Sequence, residues 1–234
     1  MANFDVFNGD ADGICALQQL RLAEPLDSTL VTGVKRDIAL LSRVPAGPGD
    51  HVTALDVSLD KNREPLHQLL ERGVTVRYFD HHFPGEIPRH PRLDAHIETL
   101  PDKGTSLLVD DYLNGSQRAW AVVGTFGDNF DSSARRAAGP LGLDNDQLAR
   151  LRELGIYLNY NGYGSCVEDL HLPPDELFRR LHPYGDPLDF IASDATFARL
   201  IEAAHDLQQG RLTRTRRADY RHTLSRLHRK IHAT

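Results

Sequence analysis

Tyr78-Phe79-Asp80-His81-His82 closes a largely apolar run, residues 74–79, with a carboxylate and two imidazoles. A strand that stops in this way delivers a hard oxygen ligand and borderline nitrogen ligands to the edge of a sheet, a mixture that suits a divalent metal. With 12 histidines in the chain, the triplet acquires meaning only from what converges on it. Working back towards the N-terminus, the same pattern recurs. Residues 3–7 read as a short strand that runs into Asn8-Gly9-Asp10-Ala11-Asp12-Gly13, after which Ile14, Leu17 and Leu20 space as a helix. Residues 30–33 read as a second strand, followed by Lys35, Arg36 and a helix over 38–44 that Asp37 would cap. A third strand, 51–55, stops at Asp56, and Asp60 opens the helix that carries Leu66, Leu69 and Leu70.

Strands alternating with helices imply right-handed crossovers and a mostly parallel sheet with helices on both faces, an α/β fold followed by a helical C-terminal region. In such sheets ligands sit beyond the carboxyl ends of the strands, where Asp10, Asp12, Asp56 and the Asp80-His81-His82 run would meet. Further on, a weak strand is expected at 95–99 and a helix at 105–113. The apolar segment 119–127 ends at Asp128, one more carboxylate emerging from a buried element. From Asp144 the pattern is helical through Leu158. It then breaks at Asn159-Tyr160-Asn161-Gly162-Tyr163-Gly164, a polar loop whose two tyrosines either stack a base or cap the helix. Further helices are expected from Pro174, over 190–207, and over 211–234.

Composition narrows the class. Of 234 residues, 40% are hydrophobic and 26% charged, with no apolar run of membrane-spanning length. No basic or apolar leader precedes the first strand, and Cys15 and Cys166 are too few for a disulfide framework, so a cytoplasmic protein without a membrane partner is expected. The net charge of -6 hides an asymmetry: residues 211–234 carry +7 and the rest -13. An acidic body can be tolerated where divalent cations sit among its carboxylates. The basic tail either tracks a nucleic-acid backbone or is a solvated helix face.

Asn8-x-Asp10-x-Asp12-Gly13 also matches the start of a calcium-binding loop, but the twelfth loop position is Gln19 rather than a bidentate Glu, and the preceding element reads as a strand. Taken together, Asp10-Ala11-Asp12-Gly13, Asp56, Asp80-His81-His82 and the Asp128 that ends Val123-Gly124-Thr125-Phe126-Gly127-Asp128 resemble the signature of the DHH phosphoesterase superfamily, of the RecJ-like and oligoribonuclease-like kind. The resemblance spans residues 3–130. It implies a pair of divalent ions, manganese before magnesium, held by Asp10, Asp12, Asp56, His81 and Asp128, with Asp56 between the two. On the same grounds Asp80 orients an imidazole and His82 reaches a phosphate oxygen. Lys35 and Arg36 are read as substrate-binding cations, with solvated charges at a helix start as the alternative.

Two departures stand out. Many members have His where this sequence has Asn8, and many continue into a substrate-binding domain that is expected to be absent here. The expected organisation is therefore a catalytic core over 1–130, a helical part over 131–210 that completes the domain, and an Arg-rich helix or tail over 211–234. The expected activity is two-metal hydrolysis of a nucleotide or short oligonucleotide phosphodiester. A phosphoanhydride hydrolase and a non-catalytic metal- or nucleotide-binding module remain as alternatives. Expected partners are a phosphate-containing small molecule or a short single-stranded nucleic acid, and a homodimer stays open.

Overall fold

The structure, a computed structural model, describes residues 1–193. Five parallel strands, β1 (Asn3–Phe7), β2 (Thr29–Thr32), β3 (His51–Leu55), β4 (Thr75–Asp80) and β5 (Leu93–Ile97), form one sheet in the order β2-β1-β3-β4-β5. The helices are α1 (Ala11–Ala23), α2 (Arg63–Glu71), α3 (Thr105–Tyr112), α4 (Arg118–Gly127), α5 (Asp131–Ala138), α6 (Asn145–Asn161), α7 (Pro174–Leu181) and α8 (Pro187–Ser193). The chain leaves β1 for β2 on one side and leaves β3 for β4 on the other. The strand order therefore reverses between β1 and β3, which opens a crevice at their carboxyl ends.

Strand alternation divides the interior into two layers. Phe7, Leu55 and Phe79 face a core built with Ile14 and Leu17 of α1, Trp120 and Phe126 of α4, and Leu151, Leu154 and Leu158 of α6. Val6, Val52, Ala54, Val76 and Tyr78 face the opposite layer, closed by Leu40, Leu41 and the Leu66, Leu69 and Leu70 stripe of α2. The packing buries the central strands β1, β3 and β4, whereas the edge strands β2 and β5 stay partly exposed. Helices α6 to α8 contribute to the same core as α1, through Leu177 and Phe190 among others.

The expected helix over 38–44 is instead a single 3-10 turn, Leu40–Arg43. Asn62 explains the difference: its Oδ1 accepts from the Leu41 amide and its Nδ2 donates to the Ile38 carbonyl, so those backbone groups need no helical partners. Asp37 correspondingly caps nothing and pairs with Arg43. The edge strand expected at 95–99 lies two residues earlier, at Leu93–Ile97. Helix α6 runs through the predicted break to Asn161, whose side-chain amide brackets the backbone of Leu172. Of the helix expected over 190–207, the described part belongs to α8. The remainder and the 211–234 segment lie outside the described residues.

Candidate metal centre at the carboxyl ends of the strands

The turn after β1 is shaped by its own side chains. Asp10 caps α1, its Oδ1 accepting from the Asp12 and Gly13 amides at 3.0 and 3.1 Å. A Cβ on Gly13 would collide with the Asn8 carbonyl oxygen, so only glycine lets the turn close this tightly. Asp12 points across the crevice to the start of α3. Its Oδ2 and Oδ1 accept from the amides of Thr105 and Ser106 at 2.6 and 2.8 Å, a placement favoured by the positive end of the helix dipole.

Asp56 follows β3 with φ of 58°, a left-handed backbone that Asp tolerates better than most residues. Its amide donates to the Phe79 carbonyl, and the Tyr78 hydroxyl donates to the Val57 carbonyl, so β4 clamps the loop on both sides of the carboxylate. Thr105 Oγ1 then donates to Asp56 Oδ1 at 3.0 Å. Asp128 arrives from the other layer. Gly127 makes this approach feasible: a Cβ there would collide with the Ala11 Cβ and stand 2.7 Å from the Gly155 carbonyl oxygen.

His81 is where these groups converge. Its Nε2 lies 3.4 Å from Asp56 Oδ1, 3.8 Å from Asp128 Oδ2 and 3.9 Å from Asp12 Oδ2. Ligand atoms of Asp12, His81 and Asp128, and of Asp56, His81 and His82, fall into two overlapping groups of metal-binding size. The donor set, carboxylate oxygens with one or two imidazoles, is that of a manganese- or magnesium-type site rather than a tetrahedral zinc site. Asn8, 4% exposed, keeps Oδ1 without a hydrogen-bond partner, a buried oxygen at the same turn. The residues present thus fit a divalent cation.

The electrostatics agree. Burial, and after it the charges of Asp10, Asp12, Asp128 and Asp80, push the Asp56 carboxyl well above the ordinary range. Asp128 rises to about 6, through burial and then the charges of Asp12 and Asp10. Crowded carboxylates that resist ionisation are relieved by a cation.

Lys35 lies inside this cluster, where its Nζ meets Asp10 Oδ2 at 2.6 Å, Asn159 Oδ1 at 2.7 Å and Asp128 Oδ1 at 3.3 Å. Burial opposes its charge, but Asp10, aided by Asp128 and Tyr163, raises its pKa on balance. Arg36 turns outward instead, exposed on the rim of a cavity of about 650 Å³ shared with Val34, Arg43 and Cys166. Asp80 is fully buried with Oδ1 2.7 Å from His82 Nδ1, and this hydrogen bond raises the His82 pKa against the opposing effect of burial. Thr105, Ser106 and Asn159 carry no motif of their own. The only sequence signals for them are the helix start after Gly104 and the polar loop at 159–164.

No protein-family model and no curated protein matches the sequence. Solved structures do. The exonuclease RecJ bound to manganese superposes with a TM-score of 0.54 at 19% identity, over 90% of this chain and 62% of that one. The chain shares the fold of this structure. The DHH domain of a member of a family of ribosomal proteins superposes equally well, TM-score 0.54 at 12% identity, over 89% of this chain and 56% of that one. This chain therefore spans less than two thirds of the length of either DHH neighbour. Among the described residues no helix is long and apolar enough to cross a membrane.

Proposed function

We propose that the chain is a metal-dependent phosphoesterase that hydrolyses a nucleotide or short oligonucleotide phosphodiester. The observation that carries this reading is the convergence of Asp12, Asp56 and Asp128 within 3.9 Å of His81 Nε2 at the strand-order reversal. The DHH neighbours, one of them an exonuclease bound to manganese, support the class. A divalent ion bound there supplies Lewis-acid stabilisation of a phosphoryl oxygen and activates water. Asp12 and Asp56 are held ready for it by Thr105 and Ser106, so little reorganisation accompanies binding. His82, oriented by Asp80 and partly exposed, donates to a non-bridging phosphate oxygen. Tyr163, exposed with its ring 5.8 Å from Lys35 Nζ, offers a face for a base beside the phosphate.

The test is release of mononucleotides from short labelled RNA and DNA, with manganese and with chelator. Manganese-dependent release is expected, and Asp56→Asn should lower it by more than roughly 100-fold, the upper end of losses from outer-shell partners. Unchanged release in the variant would overturn the site assignment. No release from any substrate in manganese would overturn the activity.

A further inference from the structure

The arrangement around Lys35 deepens the functional reading just given and rests on it. We propose that the Lys35 ammonium occupies one of the cation positions of the carboxylate cluster, so that the chain takes a single divalent ion, at Asp12, Asp56, His81 and Asp128. An ammonium has three protons to donate. Here it meets three acceptors, Asp10 Oδ2, Asn159 Oδ1 and Asp128 Oδ1, at 2.6, 2.7 and 3.3 Å. It is satisfied as it stands.

Its backbone is fixed as well. The Lys35 amide donates to the Gly162 carbonyl at 2.8 Å, the Lys35 carbonyl accepts from Asn8 Nδ2 at 3.4 Å, and the side chain lies beneath the Tyr163 ring. The residue is tied on three sides, to the β1 turn, to the end of α6 and to the loop after it.

A divalent ion at Asp10 would need those same oxygens at about 2.0–2.6 Å, the range for hard cations, and would stand against a like charge already bound to them. Asp128 divides its carboxylate between the two positions. Oδ1 faces Lys35, whereas Oδ2 lies 3.8 Å from His81 Nε2. Asp10 is thereby committed to Lys35 and to capping α1, while Asp12 and Asp56 have no lysine or arginine partner among the described residues and face His81. Without the ammonium, Asp10, Asp128 and Asn159, together with the unpartnered Asn8 Oδ1 at the same turn, would present an all-oxygen set suited to a second manganese ion.

The experiment is manganese binding to the full chain by equilibrium dialysis, with electron paramagnetic resonance of the bound ion, comparing wild type with Lys35→Met and Lys35→Gln. One ion per wild-type chain with the spectrum of an isolated ion is expected. A second ion, spin-coupled to the first, is expected in whichever variant folds. Two coupled ions in the wild type would overturn the proposal while leaving the metal-dependent reading intact. One ion in both wild type and folded variants would also overturn it, since Lys35 would then exclude nothing. No bound ion in any form would instead overturn the metal-dependent reading on which the proposal rests.

Discussion

Oδ1 of Asp80 lies 2.7 Å from Nδ1 of His82, and the same oxygen accepts from the His82 amide at 3.3 Å, so a buried carboxylate at the end of β4 fixes both the ring and the backbone of the next residue but one. The adjacent His81 is left free of this carboxylate and turns to Asp56, Asp12 and Asp128. One triplet thus turns its two imidazoles to different carboxylates.

Replacing Asp80 by Asn removes the carboxylate whose hydrogen bond, and after it whose charge, raises the His82 pKa, and the imidazole should titrate closer to its ordinary value of 6.5. Histidine NMR titration of the variant measures the shift, and an unmoved His82 resonance would contradict the proposed coupling. Turnover should fall by about 10–100-fold, as for other groups that orient a ligand or substrate contact.

The metal-free protein should lose stability as pH rises between 3.8 and about 6. Asp128 has its native pKa raised across that window, so the folded state binds the proton more tightly than the unfolded state does and deprotonation favours unfolding. Asp56 is shifted in the same direction and adds to the loss. In chelator the melting temperature should therefore be higher near pH 5 than near pH 7. Manganese should reverse the slope, because its ligands must be deprotonated. A higher melting temperature near pH 7 in chelator would contradict the crowding described here.

Gly155→Ala should disturb the site from a distance. A Cβ there would collide with the Val123 carbonyl oxygen and stand 2.8 Å from the Gly127 amide, forcing α4 away from α6 and moving Asp128 with it. Overpacking of this kind costs about 1–3 kcal/mol, measurable by urea denaturation. Manganese affinity should fall in parallel, and an affinity equal to wild type would contradict this coupling between the α4–α6 contact and the site.

The buried pair between Arg21 and Asp5 should matter for the fold alone. Two guanidinium nitrogens reach the two Asp5 oxygens at 2.7 and 2.6 Å, and Ser28 Oγ donates to the same carboxylate. Arg21→Met leaves that charge buried and unpaired, which costs about 3–5 kcal/mol. The denaturation midpoint should drop, and the manganese affinity of the folded variant should stay unchanged.

Local pattern was enough for the parallel sheet, for α2, α3 and α7, and for which carboxylates and imidazoles lie at strand ends, because hydrophobic periodicity and turn chemistry act over a few residues and are written directly in the chain. It was not enough for residues 38–44, where the Asn62 amide, some twenty positions away, takes up the backbone groups a helix would have used. Nor did it separate Lys35 from Arg36: the two are neighbours with the same charge, yet one enters the carboxylate cluster and the other faces solvent. That choice depends on Asp10, Asn159 and Asp128 arriving at a single point from three separate elements. Periodicity along a chain specifies which face of an element is buried. Only the packing of those faces specifies which charge meets which.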